Sequence, residues 1–572
     1  MNYESFTKKA PGVYVVEEPS ASQPITGASI SNAGFVGIAE DIVYPAGDAA
    51  GRGGQQLELN VPGKAVQILS WGQYQSTFGG FLYGRYLAYA VFNYFQQGGS
   101  VCYISRAVPN ESTADTNWGK DSIAAYTARL SDVIAGYDIQ ATSTGSWGNN
   151  IYIEIEAFPK LPGGSQKPPK SVAMNVYFVP QNPAAKAPTP LPADDSKAQY
   201  LVDTYFGLPA TFKNDPNDGG LKKLQAAISN INQTSPFIRI RAGKPVDAGE
   251  IKIGDAKALK QEQAGNLAYD FIGLPDSGVG LDAFEKQKDA RVLAIPDLAS
   301  PDLHAVEGSD PTLPVAETLS KVHAFINEQK DRFYVVDPPN GLSVNGEKNI
   351  LDFRGELEAS SYWSIYYPWL KIANPIGDGL IEVPPSGSVA GLIAAADGDV
   401  GPWQSPAGIT HGQVNAFDLS THVTEAQQGV LNQWPANINA IRKFPDVGSV
   451  VWGARTLSSD IETKYVAVRR LLLYVELSIQ QSLDWAVFLP NNTSLWALLR
   501  RDVDIFLTGL WRQGALFGDA KNQAFQIVCD HTNNTTETID QGLLIMQVAV
   551  APVRPAEFIV ITVSQNMQTG GG

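Results

Sequence analysis

Reagents for catalysis and metal binding are scarce in this sequence. Its 572 residues include only two cysteines, Cys102 and Cys529, and five histidines. There is no CxxC pair, and one bridge is the most that two cysteines allow. Two reduced thiols are expected, in a chain made and assembled in a cytoplasm. His304, His323, His411, His422 and His531 show no HxH or HExxH spacing, so each reads as a surface or satisfied histidine. No GxxxxGK[ST] loop and no GxSxG elbow occurs, and Gly278-Val279-Gly280 lacks a third glycine and reads as a turn. Cys529-Asp530-His531 invites a Cys–His pair, but Cys529 ends an alternating strand, where a buried structural thiol is expected. The acid pairs Asp297 with Asp302 and Asp397 with Asp399 match no metal loop and read as solvated loop acids. No catalytic, cofactor-binding or metal-binding residue is therefore assigned, and no cofactor is expected.

Charge is also sparse. Charged residues make up 17% of the chain, against roughly 25% in ordinary soluble domains. Part of the surface must then be uncharged, and some of it is a candidate for cover by partners. The net charge of −16 argues against a nucleic-acid coat. No run of about 18 apolar residues is present, so no membrane-spanning helix or membrane insertion is expected. Met1 to Lys9 lacks the apolar centre of a secretory signal, and export without a signal peptide is expected.

What is present is apolar and patterned. Hydrophobic residues reach 44% and aromatics 10%, enough for several cores in two to four domains. Ile25 to Ala39 reads as strand-like. Leu82, Tyr86, Tyr89, Ala90 and Asn93 recur at helical spacing up to Gly98-Gly99, and the strand Val101 to Arg106 follows. Pro159 to Pro169 and Pro180 to Pro192 predict loops and insert boundaries rather than core. Val292 to Asp297 and Phe333 to Pro339 read as buried strands around a helix over Val315 to Gln329. Near the C-terminus, Ser459 and Glu462 have capping-box spacing ahead of Ile461, Tyr465, Val468, Leu472, Val475 and Ile479, which predicts a long amphipathic helix. Leu495, Leu499, Val503, Phe506 and Leu510 predict a second helix stopped by Gly514. Strands are expected at Ala524 to Cys529 and Leu543 to Val550.

Both ends carry a short β segment set off by prolines. Val13, Tyr14, Val15 and Val16 lie between Pro11 and Pro19; Phe558, Ile559, Val560, Ile561 and Val563 follow Pro552 and Pro555. A six-residue strand does not stand alone in water. It pairs either with its own domain or with a neighbour's sheet edge, where main-chain hydrogen bonds carry the affinity. Sequence physics permits both. Residues 451–572 hold 9 Lys or Arg against 11 Asp or Glu, a net of −2, so −14 of the charge lies elsewhere. The doublets Arg469-Arg470 and Arg500-Arg501, with Arg512, are either an ordinary helix surface or arginines aimed at a partner.

In order along the chain, several motifs resemble those of contractile phage tail sheath proteins. PGVYVVEEPSASQPITGAS (Pro11 to Ser29), FVGIAE (Phe35 to Glu40), FGG (Phe78 to Gly80) and AVFNYFQQGGSVCYISR (Ala90 to Arg106) come first. GSWGNNIYI (Gly145 to Ile153), LAIPD (Leu293 to Asp297), VVDPP (Val335 to Pro339), YYPWLKIANP (Tyr366 to Pro375) and VPPSGSVAGLIAAAD (Val383 to Asp397) follow. INAIR (Ile438 to Arg442), VWGARTLS (Val451 to Ser458), RRLLLYVELSI (Arg469 to Ile479), VFLPNNTSLW (Val487 to Trp496), GALFGDAKNQAFQIVCD (Gly514 to Asp530) and VAPVRPAEFIVITVSQ (Val550 to Gln565) complete the series. The chain departs from the pattern at Leu489, where the family usually has an acidic residue, and in AAADGDVG (Ala394 to Gly401), which lacks the arginine often found near that aspartate.

The resemblance implies a multidomain α/β and α+β fold. It comprises a C-terminal sheath domain with two long helices and a β-sheet, an α/β middle domain, an outward β-rich insertion and extended β arms. The implied division is an N-terminal arm at 1–24, the middle domain at 25–107 and 266–450, the variable insertion at 108–265, the inner sheath domain at 451–555 and a C-terminal arm at 556–572. It also implies a homo-oligomer of stacked hexamers in a helical sheath around an inner tail tube, ending on baseplate and terminator or cap proteins. That sheath contracts to drive the tube through a target envelope. On this reading the arm residues exchange strands between subunits, and Arg500, Arg501 or Arg512 touches the tube. The rivals are a rigid capsid-like or surface-layer protein and, weaker, a hydrolase with a non-local site. A phage, a tailocin and an extracellular injection system all fit the same motifs.

Overall fold

The computed structural model describes residues 24–39, 65–82, 84–109, 128–141, 150–158, 170–179, 191–192, 195–235, 237–242, 246–260, 269–273, 278–300, 312–376 and 379–557. The chain divides into two compact units: residues 29–470 with 554–572, and residues 1–28 with 471–553.

The larger unit is built on a nine-stranded sheet. Its strands are β1 (Ala33–Gly37), β2 (Val66–Ile68), β3 (Cys102–Arg106), β4 (Val292–Ala294), β5 (Phe333–Val336), β6 (Trp363–Tyr367), β7 (Gln413–Val414), β8 (Ile438–Phe444) and β9 (Gly448–Val451). They lie in the order β2-β3-β1-β4-β5-β6-β8-β9-β7. The run from β3 to β8 is parallel, with Ala33 opposite both Cys102 and Val292, Tyr334 opposite Trp363, and Ile365 opposite Ile438. The edge strand β2 pairs antiparallel with β3, and β9 pairs antiparallel with both β8 and the edge strand β7.

Parallel strands need crossovers and are buried on both faces, which is why AGFVG, FYVV and WSIYY read as unbroken apolar runs. All three strands are buried along their whole length. Helix α3 (Thr312–Gln329) follows β4 and precedes β5, its neighbour in the sheet, and buries Val315, Leu319, Val322 and Ile326 at helical spacing. Full burial of such side chains stabilises by roughly 1.5–3 kcal/mol each, more than the ~0–1 kcal/mol of an exposed ion pair, so the core holds this unit.

Several expected boundaries move. The single helical pattern ahead of Gly98 is two helices, α1 (Trp71–Phe78) and α2 (Leu87–Gln96), and Leu82 and Tyr86 fall between them. Ser70 caps α1, and Gly79 at φ +86° ends it. Within Ile25 to Ala39 only Ala33–Gly37 is strand. Strand β4 stops at Ala294 because Pro296 starts a 3-10 turn over Pro296–Ala299.

Helix α4 (Ser386–Asp399) packs on α2 through two glycines four residues apart. A Cβ on Gly387 would lie 2.3 Å from the Ala90 carbonyl oxygen, and one on Gly391 2.7 Å from that of Tyr94.

Residues 128–260 carry a separate core. Strands Gly254–Ala258, Ile151–Phe158, Ser171–Phe178 and Leu201–Pro209 form an antiparallel sheet, and Ile238–Ala242, Tyr137–Ala141 and Arg129–Ile134 form another. Ile151, Ile153 and Ile155 alternate inward with Val172, Met174 and Val176. Helix Gly219–Thr234, capped by Asp218 Oδ1 at 2.8 Å from Leu221 N, adds Leu224 and Ile231 to that core. The predicted proline loops at 159–169 and 180–190 lie outside the described residues.

The smaller unit contains helix α6 (Thr493–Arg512) and the antiparallel pair β10 (Phe525–Val528) and β11 (Gln547–Val550). Asn492 caps α6 at 3.0 Å from Leu495 N, and Gly514 at φ +81° ends it. Its buried face includes Trp496, Asp502 and Leu507 beside the predicted Leu495, Leu499, Val503 and Leu510; Phe506 is half-buried. Helix α5 (Val466–Ser482) contributes residues to both units. It starts five residues later than Ile461, which is exposed, and Ser459 caps nothing. Tyr465 instead bridges to Arg455, and Asp460 and Thr463 close a local turn. Val466 to Leu471 are buried all round, so this end is a core helix rather than an amphipathic one.

Candidate functional site

Acidic residues stand at the ends of the parallel strands, where ligands bind in open α/β sheets. Asp297 is not a solvated loop acid: it is wholly buried, accepting from Ile38 N at 2.6 Å and from Tyr86 N. Burial raises its pKa against those hydrogen bonds. Asp337, just past β5, accepts from Ser386 N at 2.9 Å and so ties the start of α4. Burial pushes it up to about 7. Both carboxylates hold backbone, which is a structural task. Asp302 lies outside the described residues.

Asp397 is likewise no surface acid. It meets the buried Arg470 in a two-pronged ion pair at 2.5 Å, and the same guanidinium donates to Ile30 O at 3.1 Å. Arg469 is buried too, with its guanidinium 4.6 Å from the Tyr362 ring centre. That doublet is spent inside the fold and cannot face a partner. Asp399 is exposed and meets His411 at 3.0 Å.

The remaining chemistry candidates resolve in the same direction. Cys102 and Cys529 are both free and buried, and burial raises both thiols. Asn534 Nδ2 lies 3.8 Å from the Cys529 sulfur, while the His531 ring stacks edge-on against Trp496. Among the described residues no group of three or more His, Cys, Asp or Glu could hold a metal ion. No described helix is long and apolar enough to cross a membrane.

Arg500, Arg501 and Arg512 all lie on α6. Arg501 and Arg512 are exposed and eleven residues apart, hence within about 20° of one another around the helix. Arg501 Nε sits 3.3 Å from the buried Asp502 carboxylate. Arg500 is half-buried and lines an open hollow of about 420 Å³ with Asp504, Lys521, Phe525 and Ile527. Lys521 pairs with Asp504 at 2.6 Å. The hollow lies between α6 and β10, and among the described residues each strand of the β10–β11 pair has only the other as partner.

Sequence reasoning missed the apolar surface of this smaller unit. Val487, Phe488, Leu489, Ile505, Phe517 and Leu543 are all exposed, Phe488 completely. Phe488 also holds φ +68°, a left-handed conformation unusual for an aromatic residue. The signal available was the Leu489 departure from the family pattern.

The arm residues Val13, Tyr14, Val15, Val16, Phe558, Ile559, Val560, Ile561 and Val563 lie outside the described residues. Their roots are described. Thr26 N and Ala28 N donate to Ser482 Oγ at 3.2 Å and Ser478 Oγ at 2.9 Å. At the other end Glu557 meets Arg455, with Nε to Oε1 at 2.9 Å and a second bond from Nη2 to Oε2.

Known proteins resemble this mixed helix-and-strand, multidomain chain both by sequence domain and by fold. The family model of the phage tail sheath protein central domain matches residues 298–457, and that of the phage tail sheath C-terminal domain matches residues 458–566. The tail sheath protein of Vibrio phage KVP40 is 25% identical over 317 residues, covering 51% of this chain and 46% of that protein. That of Enterobacteria phage T4 is 29% identical over 182 residues, covering 31% and 26%. The chain thus spans about half the length of the first of these relatives, and less of the second. Among solved structures, the contracted sheath of the extracellular contractile injection system PVC superposes with TM-score 0.52 at 21% identity, covering 98% of both chains. The contracted helical sheath of the anti-feeding prophage gives 0.51 at 22%, covering 98% of this chain and all of that one. At these identities the likeness is one of fold. Residues 298–566 thus carry the central and C-terminal domains of phage tail sheath proteins, a family of structural proteins and not of enzymes.

Proposed function

We propose that this chain is the subunit of a contractile tail sheath, stacking as hexameric rings around an inner tube and shortening to drive that tube through a target envelope. The observation that carries the reading is the unbroken match of residues 298–566 to the central and C-terminal tail sheath domains. Two physical features support it. The smaller unit keeps large apolar side chains in solvent and strand edges without a described partner, as a protomer awaiting neighbours would. In the larger unit Asp297 and Asp337 hold backbone N–H groups and Arg470 holds Asp397, so these buried charges serve the fold.

In this reading Val13, Val15, Phe558, Val560 and Val563 add strands to the C-terminal sheets of neighbouring subunits, the β10–β11 pair offering the edges. Arg501 and Arg512, with Arg500 less accessible, meet the tube. Baseplate and terminator proteins close the two ends, and the insertion faces outward. Particles are assembled in the bacterial cytoplasm. The energy of contraction comes from a larger interface between subunits, without a nucleotide.

Electron microscopy of the purified protein tests this directly. Hollow striated tubes of two lengths are expected; a uniform, non-contracting lattice would overturn it in favour of a rigid shell. Deleting residues 1–22 leaves a folded monomer that no longer builds long sheaths. Arg501→Glu with Arg512→Glu impairs tube-templated assembly while spontaneous polymerisation persists.

A further inference from the structure

The two arm roots are both fastened, but at different distances from their β segments. At the C-terminal end the fastening is a charge clamp. Arg455 is buried and bonds both oxygens of Glu557, while its third nitrogen donates to Asn432 O. The Arg455 backbone is itself pinned, its N–H donating to Asn439 Oδ1 at 2.6 Å and its carbonyl accepting from Asn439 Nδ2 at 2.8 Å. The Tyr465 hydroxyl donates to Glu557 Oε2 at 3.4 Å, and burial, then the Glu557 charge, raises that phenol's pKa. Phe558, where the sequence predicts the C-terminal β segment to begin, follows the clamped residue directly.

At the N-terminal end the fastening is a hydroxyl ladder. Ser478 and Ser482, four residues apart on α5, receive the N–H groups of Ala28 and Thr26. Gly27 between them passes so close to Tyr474 that a Cβ there would lie 1.9 Å from its hydroxyl oxygen. From Thr26 back to the β segment ending at Val16 there are nine residues, Glu17 to Ile25. Fully extended they span about 30 Å.

We infer that the C-terminal arm is a short, charge-clamped link and the N-terminal arm a long one, with Arg455 and Tyr465 as the positioning residues of the short link. This rests on the strand-exchange reading above. A partner strand built by Phe558 to Val563 is then held in register with the subunit that donates it. The partner strand built by Val13 to Val16 tolerates displacement of up to the tether length. Subunit rearrangement is accommodated at the N-terminal link.

Paired insertions test this. Gly-Ser-Gly-Ser placed between Glu557 and Phe558 is expected to reduce ordered sheath at least tenfold by sedimentation. The same insertion between Ser20 and Ala21 is expected to leave it within twofold. Glu557→Gln, which keeps size and loses the charge pair, speeds amide exchange at residues 554–557 and broadens the helical order of sheaths assembled well below the melting temperature of the variant monomer. Equal tolerance of both insertions, or greater harm from the N-terminal one, overturns the inference, as does wild-type exchange in Glu557→Gln. The deletion of residues 1–22 separates the two failures. If it still abolishes sheaths while both insertions are tolerated, only the short-link assignment falls; if it assembles normally, strand exchange falls with it.

Discussion

The larger unit and the C-terminal unit use the same residue types in opposite ways. In the larger unit arginines and carboxylates are buried and matched: Arg470 with Asp397, Arg455 with Glu557, Asp297 and Asp337 with backbone N–H groups. In the C-terminal unit Arg501 and Arg512 are exposed, and Phe488, Phe517 and Ile505 stand in solvent. The larger unit exposes Phe206, Phe417 and Trp434 as well, so the contrast lies in its buried, matched charges and not in apolar exposure. Burying a charge without a partner is costly, so the first set is committed to folding. Exposed apolar groups gain only when something covers them, which leaves the second set to assembly.

Substitution separates these two roles, and the largest effect belongs to the buried pair. Arg470→Ala strands the Asp397 carboxylate inside the fold and is expected to cost about 3–5 kcal/mol in urea unfolding. A loss below ~1 kcal/mol would mean that the pair is solvated, and the contrast would fail. Gly387→Ala drives a Cβ onto the Ala90 carbonyl. It is expected to cost about 1–3 kcal/mol by the same measurement, with α2 and α4 forced apart.

Asp337 sharpens the contrast through pH. Its native pKa is about 7, against roughly 3.9 when unfolded. Between those values the native state binds more protons, so stability falls as pH rises from about 4 through 7. Asp337→Asn removes that decline, and melting curves of both proteins at pH 5 and pH 8 measure the difference. An identical pH slope in the two proteins shows that Asp337 does not titrate there. The smallest folding effect is expected at Phe488→Ser, within about 0.5 kcal/mol of wild type, combined with loss of polymerisation read by light scattering. A destabilised monomer would instead assign Phe488 to the fold.

Periodicity was enough to anticipate the elements that bury one face or both. Val315, Leu319, Val322 and Ile326 announce α3, and Leu495, Leu499, Val503 and Leu510 announce α6, because a 3.6-residue period aligns them on one side. The capping-box reading at Ser459 failed for a reason invisible locally. Tyr465 is drawn into a bridge with Arg455, and the helix cannot start until that pairing ends. Asp297 and Asp397 were misread because a loop aspartate with a distant backbone or guanidinium partner looks, in sequence, like any solvated acid.

The amino-acid order by itself determined the apolar strands, the helix periods, the scarcity of reactive side chains and the ordered motifs that resemble those of tail sheath proteins. Those properties depend on neighbours a few residues apart. Tertiary structure decided which charges are spent inside and which face outward, since Arg470 finds Asp397 across 73 residues and Arg455 finds Glu557 across 102. It also decided where the arms are tied. Such pairings depend on how the chain returns to itself, and no local pattern encodes that return.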